Sequence, residues 1–85
     1  MLSKGTIVCS KAGRDSGSFS AVLSSDDRFA VLTDGSGHPI EKPKRKNVKH
    51  IAKTLTVLSA EQMSTNSSIK KALEEFGANK VKGEI

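Results

Sequence analysis

The chain has 85 residues, 35% of them apolar and only Phe19, Phe29 and Phe76 aromatic, which limits it to one domain with a small core and leaves little room for a deep substrate cleft. A single cysteine, Cys9, excludes an internal disulfide, and with two histidines it makes no metal-ligand array, so a reducing cytoplasm is the expected compartment. Fourteen Lys and Arg against nine Asp and Glu leave a net charge of +5, and all of it falls between positions 41 and 54, where Lys42, Lys44, Arg45, Lys46, Lys49 and Lys53 face Glu41 alone.

The first half of the chain reads as short strands. Thr6-Ile7-Val8-Cys9-Ser10 is rich in β-branched residues and is bounded by Gly5 and Gly13. Residues 19–24 and 29–33 form two more runs, separated by the polar turn Ser25-Asp26-Asp27-Arg28. Phe29 and Val31 alternate with Ala30 and Leu32, so both faces of that run are apolar, as in a small closed barrel whose outer face is partly covered. Asp34-Gly35 is a hairpin signal, and Pro39 leaves room for only a brief strand over residues 37–40. The basic segment is then a loop, stiffened by Pro39 and Pro43, that leads into a fifth strand at 48–52. There, alternation puts Val48, His50 and Ala52 on one face and Lys49, Ile51 and Lys53 on the other.

After Thr54 the texture changes, and positions 55–65 show no period of either kind. Ile69, Ala72, Leu73 and Phe76 then fall at helical spacing, with Asn66 or Ser67 as the N-cap and Gly77 as the stop. A helix of about ten residues is too short to stand alone in water, so its apolar stripe should dock on the barrel. The expected organisation is a barrel over 1–54, a linker and docked helix over 55–77, and a frayed tail over 78–85.

The sharpest local feature is Gly5-Thr6-Ile7-Val8-Cys9-Ser10-Lys11-Ala12-Gly13-Arg14-Asp15-Ser16-Gly17, a strand followed by a glycine-bracketed, charged loop. Gly13 and Gly17 would admit backbone angles closed to other residues and close approach to another backbone, with Lys11 and Arg14 at the tip. A nucleotide-binding phosphate loop needs a Gly-Lys-Ser/Thr ending and a following helix, and neither is present. The stretch resembles a KOW motif, the glycine-centred element of several ribosomal proteins and transcription elongation factors. Together with Asp34-Gly35, the Pro43-Lys44-Arg45-Lys46-Asn47-Val48-Lys49-His50-Ile51 block and the late Thr65-Asn66, Ile69 and Ala72-Leu73, it resembles small KOW-containing RNA-binding proteins of Gram-positive bacteria. These are similar to the archaeal and eukaryotic large-subunit ribosomal protein numbered fourteen. The resemblance covers roughly positions 5 to 76. It implies a mainly β fold, a five-stranded SH3-like barrel with one C-terminal helix, and ribosomal RNA as ligand, with contacts to ribosomal proteins as a further expectation. It carries the central motif glycine over to Gly13 and the basic loop residues to Lys11 and Arg14. At Ser16 and Ser18 the chain departs from the family, whose members often have basic residues there, so Lys11 and Arg14 are read as a second, weaker edge.

The basic block can be interpreted without any family. Six cations contacting phosphates would release counterions, so affinity would fall steeply with salt. A lysine-rich loop also serves solubility, but a chain neutral elsewhere would not require such clustering. Lys42, Lys44, Arg45, Lys46 and Lys49 are therefore the expected phosphate contacts, on a monomer when free. His50 could stack on a base or donate to a phosphate, or be a half-buried structural histidine. With no Trp or Tyr, and with Phe19 and Phe29 read as core packing, recognition should depend on backbone and shape, which favours folded RNA over a single-stranded sequence. Duplex DNA shares the phosphate chemistry, and a protein–protein adaptor in transcription or translation is the reading from another class.

Cys9 on its strand is expected to be a small buried hydrophobe. No Ser or Cys can be paired with a base, so no catalytic residue, enzyme activity, metal or cofactor is expected. The apolar runs are far shorter than the ~20 residues that span a bilayer, and the first residues carry no hydrophobic stretch of the kind a secretion signal needs.

Overall fold

The structure is a computed structural model and describes residues 2–11, 13 and 17–79. Five strands, β1 (Thr6–Ser10), β2 (Phe19–Ser25), β3 (Phe29–Thr33), β4 (Lys44–Asn47) and β5 (Ile51–Val57), form one antiparallel sheet in the order β4-β3-β2-β1-β5. A single 3-10 turn, Val48–His50, joins β4 to β5, and α1 (Asn66–Asn79) ends the described chain. This is the mainly β architecture with one C-terminal helix that was expected. It is compatible with a small SH3-like barrel, although no ladder joins the edge strands β4 and β5.

Successive residues of a strand point to opposite faces, and here both faces are filled. Val8, Val22, Ala30, Leu32 and Ile51 make one buried cluster inside the curl of the sheet, with Leu2 and Val48 packed at its rim. Ile7, Ala21, Leu58, Met63, Ile69, Ala72 and Leu73 make the other, between the sheet and α1. Ile7 and Val8, adjacent in sequence and both almost fully buried, therefore serve different layers. Register shifts between Val22 and Ser24 on β2 and between Thr6 and Val8 on β1 act as bulges that bend the sheet.

The helix docks as its stripe requires. Ile69 is completely buried, and Phe76 meets Phe19 edge-on, with ring centroids 5.1 Å apart and planes at 79°. The cap is Thr65, one residue earlier than expected: its Oγ1 accepts from the Ser68 amide at 3.1 Å, and the Thr65 amide donates to Ser68 Oγ at 3.3 Å, a reciprocal capping box. Gly77 does not stop the helix, which continues to Asn79. A Cβ at Gly77 would stand 3.9 Å from the Phe19 ring, so this glycine lies over that ring inside the helix. Of the expected frayed tail, positions 80–85 lie outside the described residues.

The middle of the chain departs most from expectation. Residues 37–40 are not a strand. Asp34 organises them as a loop, its Oδ1 accepting from the amides of Ser36 (2.9 Å) and His38 (2.8 Å). That loop is tied to the helix start: the Ile40 amide donates to Asn66 Oδ1 at 2.8 Å, and Asn66 Nδ2 donates to Glu41. The basic segment is not wholly a loop either, since Lys44–Asn47 pairs with β3 as an edge strand. Nor does the fifth strand begin at Val48. Asn47 Oδ1 accepts from the Lys49 amide at 2.9 Å and starts the 3-10 turn, so β5 runs from Ile51 to Val57. Ile51 faces inward while Ala52 and Lys53 are exposed.

Candidate nucleic-acid interface

Strand pleating divides the basic block. Lys44 and Lys46 stand opposite Leu32 and Ala30, on the side of the inner cluster, and both are half-buried. Arg45 stands opposite Val31 on the outer side and is exposed. Its guanidinium carbon lies 4.1 Å from the centroid of the Phe29 ring, a cation–π contact. Phe29 belongs to neither buried cluster, which corrects its reading as a core residue, whereas Phe19 does pack against the helix layer. The sequence could not decide this, because both faces of β3 are apolar.

Three segments meet near the end of β1. Lys46 Nζ lies 2.6 Å from Ser10 Oγ, and the Lys11 amide donates to the His50 carbonyl at 2.7 Å. Ser10 is in register with Ile51. The exposed side chains of Lys11, Lys49 and His50 therefore emanate from one neighbourhood, flanked by Lys46. The exposure of His50 overturns the half-buried structural alternative. Lys42 is exposed in a turn closed by its own amide donating to the Pro39 carbonyl. Arg14 lies outside the described residues. Gly13 and Gly17 both have positive φ, 88° and 91°, as the loop reading required. A Cβ at Gly17 would meet nothing within 4 Å, so Gly17 supplies backbone angle and not close approach.

Lys53 borders an open depression of about 370 Å³ with Leu2, Asp26, Asp27, Val48 and Ile51. A second depression of about 490 Å³ is lined by Asp26, Asp27, Arg28, Phe29 and Arg45. The acidic pair thus stands between Lys53 on one side and Arg28 and Arg45 on the other. Asp26 Oδ1 accepts from the amides of Arg28 and Phe29, each at 2.8 Å. The Phe29 and Arg28 amides chiefly, and the charges of Arg45 and Arg28 after them, hold its carboxyl below the usual range despite a small opposing desolvation.

Cys9 is half-buried and not fully enclosed, its Sγ 3.6 Å from the Ser10 carbonyl. Among the described residues no three His, Cys, Asp or Glu side chains gather as a metal site, and no helix is long and apolar enough to cross a membrane. In a comparison with protein-family models, none matches the sequence.

Proposed function

We propose that the chain is an RNA-binding module of the KOW type that grips the phosphates of a structured RNA, ribosomal RNA foremost, and so works in the cytoplasm at the ribosome. The observation that carries this reading is the confinement of the entire +5 to residues that fold as one edge strand, a 3-10 turn and the start of β5. Exposed Lys42, Arg45, Lys49 and Lys53 supply the phosphate contacts, half-buried Lys44 and Lys46 line the same strand, and Lys11 and Arg14 add the second edge. The chemistry is counterion release and charge-assisted hydrogen bonding, with no bond made or broken.

The test is titration of a folded ribosomal RNA fragment by fluorescence anisotropy across a salt series. Four or five phosphate contacts give a log–log slope of about −4. A triple variant, Lys42→Ala, Lys49→Ala and Lys53→Ala, should flatten the slope by about 3. Salt-independent binding, or none, sinks the reading. Competition by duplex DNA separates RNA from DNA, and co-sedimentation with ribosomes tests the ribosomal ligand.

One observation favours the adaptor reading. Leu55 is 98% exposed and Val57 is 55% exposed on β5, an edge strand open to an apolar partner. An adaptor contact there would be insensitive to salt and abolished by Leu55→Ser.

A further inference from the structure

The two carboxylates between the cations are out of place on a surface made only for phosphate, because Asp26 and Asp27 repel it. The depression they line also contains Phe29 and Arg45, and these four side chains have a chemistry in common. A guanidinium over an aromatic ring has one face on the ring and the other toward solvent, and Arg45 is exposed. Such a plane stacks on a flat nucleobase. Asp26 uses Oδ1 for two backbone amides, which leaves Oδ2, and Asp27 makes no side-chain hydrogen bond among the described residues. Ionised carboxylates only accept hydrogen bonds. They suit the base edge that offers adjacent donors, which is the N1–H and N2–H₂ edge of guanine. Adenine and cytosine present a single amino group there, and uracil a single imino N–H.

We propose that the depression of Asp26, Asp27, Arg28, Phe29 and Arg45 receives one unpaired guanine of the bound RNA, stacked on the Arg45 guanidinium with its donor edge on the carboxylates. This inference rests on the RNA-binding reading and refines it from phosphate gripping to recognition of a base turned out of a helix. Arg28 on the rim, and Lys53 in the depression on the other side of Asp26 and Asp27, are placed for the phosphates flanking that nucleotide.

The experiment uses a set of RNA hairpins identical except at one position, which carries a bulged G, A, C or U, a bulged abasic site, or no bulge. Anisotropy titration at fixed salt should show the bulged-G hairpin bound about tenfold more tightly than the abasic one. Arg45→Lys keeps the charge but loses the plane, and Phe29→Leu keeps apolar volume but loses the ring. Each should remove the preference for a bulged base, read within each variant as the ratio of bulged-G to abasic affinity, whatever its overall affinity for the unbulged hairpin. Asp27→Asn should bring bulged G and bulged A to equal affinity. Melting curves of each variant establish that it is folded, and Arg45→Lys, at an exposed position, carries the test if Phe29→Leu does not fold. Equal binding of bulged-G and abasic hairpins overturns the proposal and leaves RNA binding standing. A preference that survives Arg45→Lys overturns it as well, because the base then binds elsewhere. Binding to no hairpin in the set removes the proposal together with the reading beneath it.

Discussion

Lys46 Nζ and Ser10 Oγ, 2.6 Å apart, link β4 to β1, two strands that share no ladder. The sheet is open between its edges, and a side chain of the basic block spans part of that opening. A hydrogen bond from a charged donor contributes about 1.5–3 kcal/mol when well enclosed, and screening at this half-buried site reduces it to about 1 kcal/mol. Lys46→Met and Ser10→Ala should each lower stability by about that much, and the double variant by less than the sum. Urea melts of the four proteins measure the coupling directly. Lys49→Ala, at an exposed position in the 3-10 turn, should leave the melt unchanged, and on the proposed reading it should lower RNA affinity alone.

The helix contributes through Ile69. That side chain has no solvent exposure and lies among Ile7, Ala21, Leu58 and Leu73. Ile69→Ala deletes three carbons from a packed layer, which costs about 2–5 kcal/mol. A domain this small has little more than that in reserve, so the variant should lose cooperative thermal unfolding. Phe76→Leu keeps most of the buried area and loses the edge contact with Phe19, and should cost about 1 kcal/mol. Circular dichroism melts distinguish the two outcomes.

Gly35 was legible as a turn glycine, but its main constraint is elsewhere. Its φ is +74°, and a Cβ there would collide with the Asn66 carbonyl oxygen and lie 2.9 Å from the Lys70 amide nitrogen. Gly35→Ala therefore combines about 1–3 kcal/mol of backbone strain with displacement of the helix start, where Asn66 holds Ile40. Gly37→Ala, two residues on, meets nothing within 4 Å and has ordinary φ, so it should be neutral or slightly stabilising. Hydrogen exchange in the first turn of α1 should rise in the first variant only.

The parts of the fold that could be read in advance were those where apolar residues keep a period. β1 and β3 were found with their observed bounds, and the stripe Ile69, Ala72, Leu73 and Phe76 named the docked face of α1. β4 was hidden because Lys44-Arg45-Lys46-Asn47 has no apolar residue to mark a pleat, although the strand sends alternate cations to opposite sides. The 3-10 turn depends on one Asn47 side chain, and the outer half of β5 carries Leu55 and Val57 toward solvent, where a search for buried faces misreads them. Phe29 was lost for a related reason. On a strand apolar on both faces, periodicity cannot say which face is inside, and the depression around it needed the Asp26 turn folded beside β4. The cap at Thr65 is set by reciprocal bonds with Ser68, and the Asn66-Ser67 pair between them offers the same cap residue types in sequence.

Acid should unfold this protein through two loop carboxylates. Asp34 is pushed up by partial burial, but the amides of His38 and Ser36 and the His38 side chain, 3.7 Å away, outweigh that and hold it below the usual 3.8. Asp26 is held down chiefly by the Phe29 and Arg28 amides. A carboxyl whose folded value lies below its unfolded one binds fewer protons when folded, so its contribution to stability is fully present above the unfolded value. It is lost as pH falls from there through the lower folded value. The melting temperature should therefore begin to drop below about pH 4, the unfolded range, and keep falling as the pH is lowered through the depressed folded values. Asn at either position keeps a carbonyl acceptor for the same amides and removes the titration. The double variant Asp26→Asn, Asp34→Asn should show a shallower acid limb, with the remainder carried in part by Glu41, which the Asn66 amide also holds down. Thermal melts of both proteins between pH 2 and 7 decide it, and an acid limb as steep in the double variant as in the parent would refute the assignment.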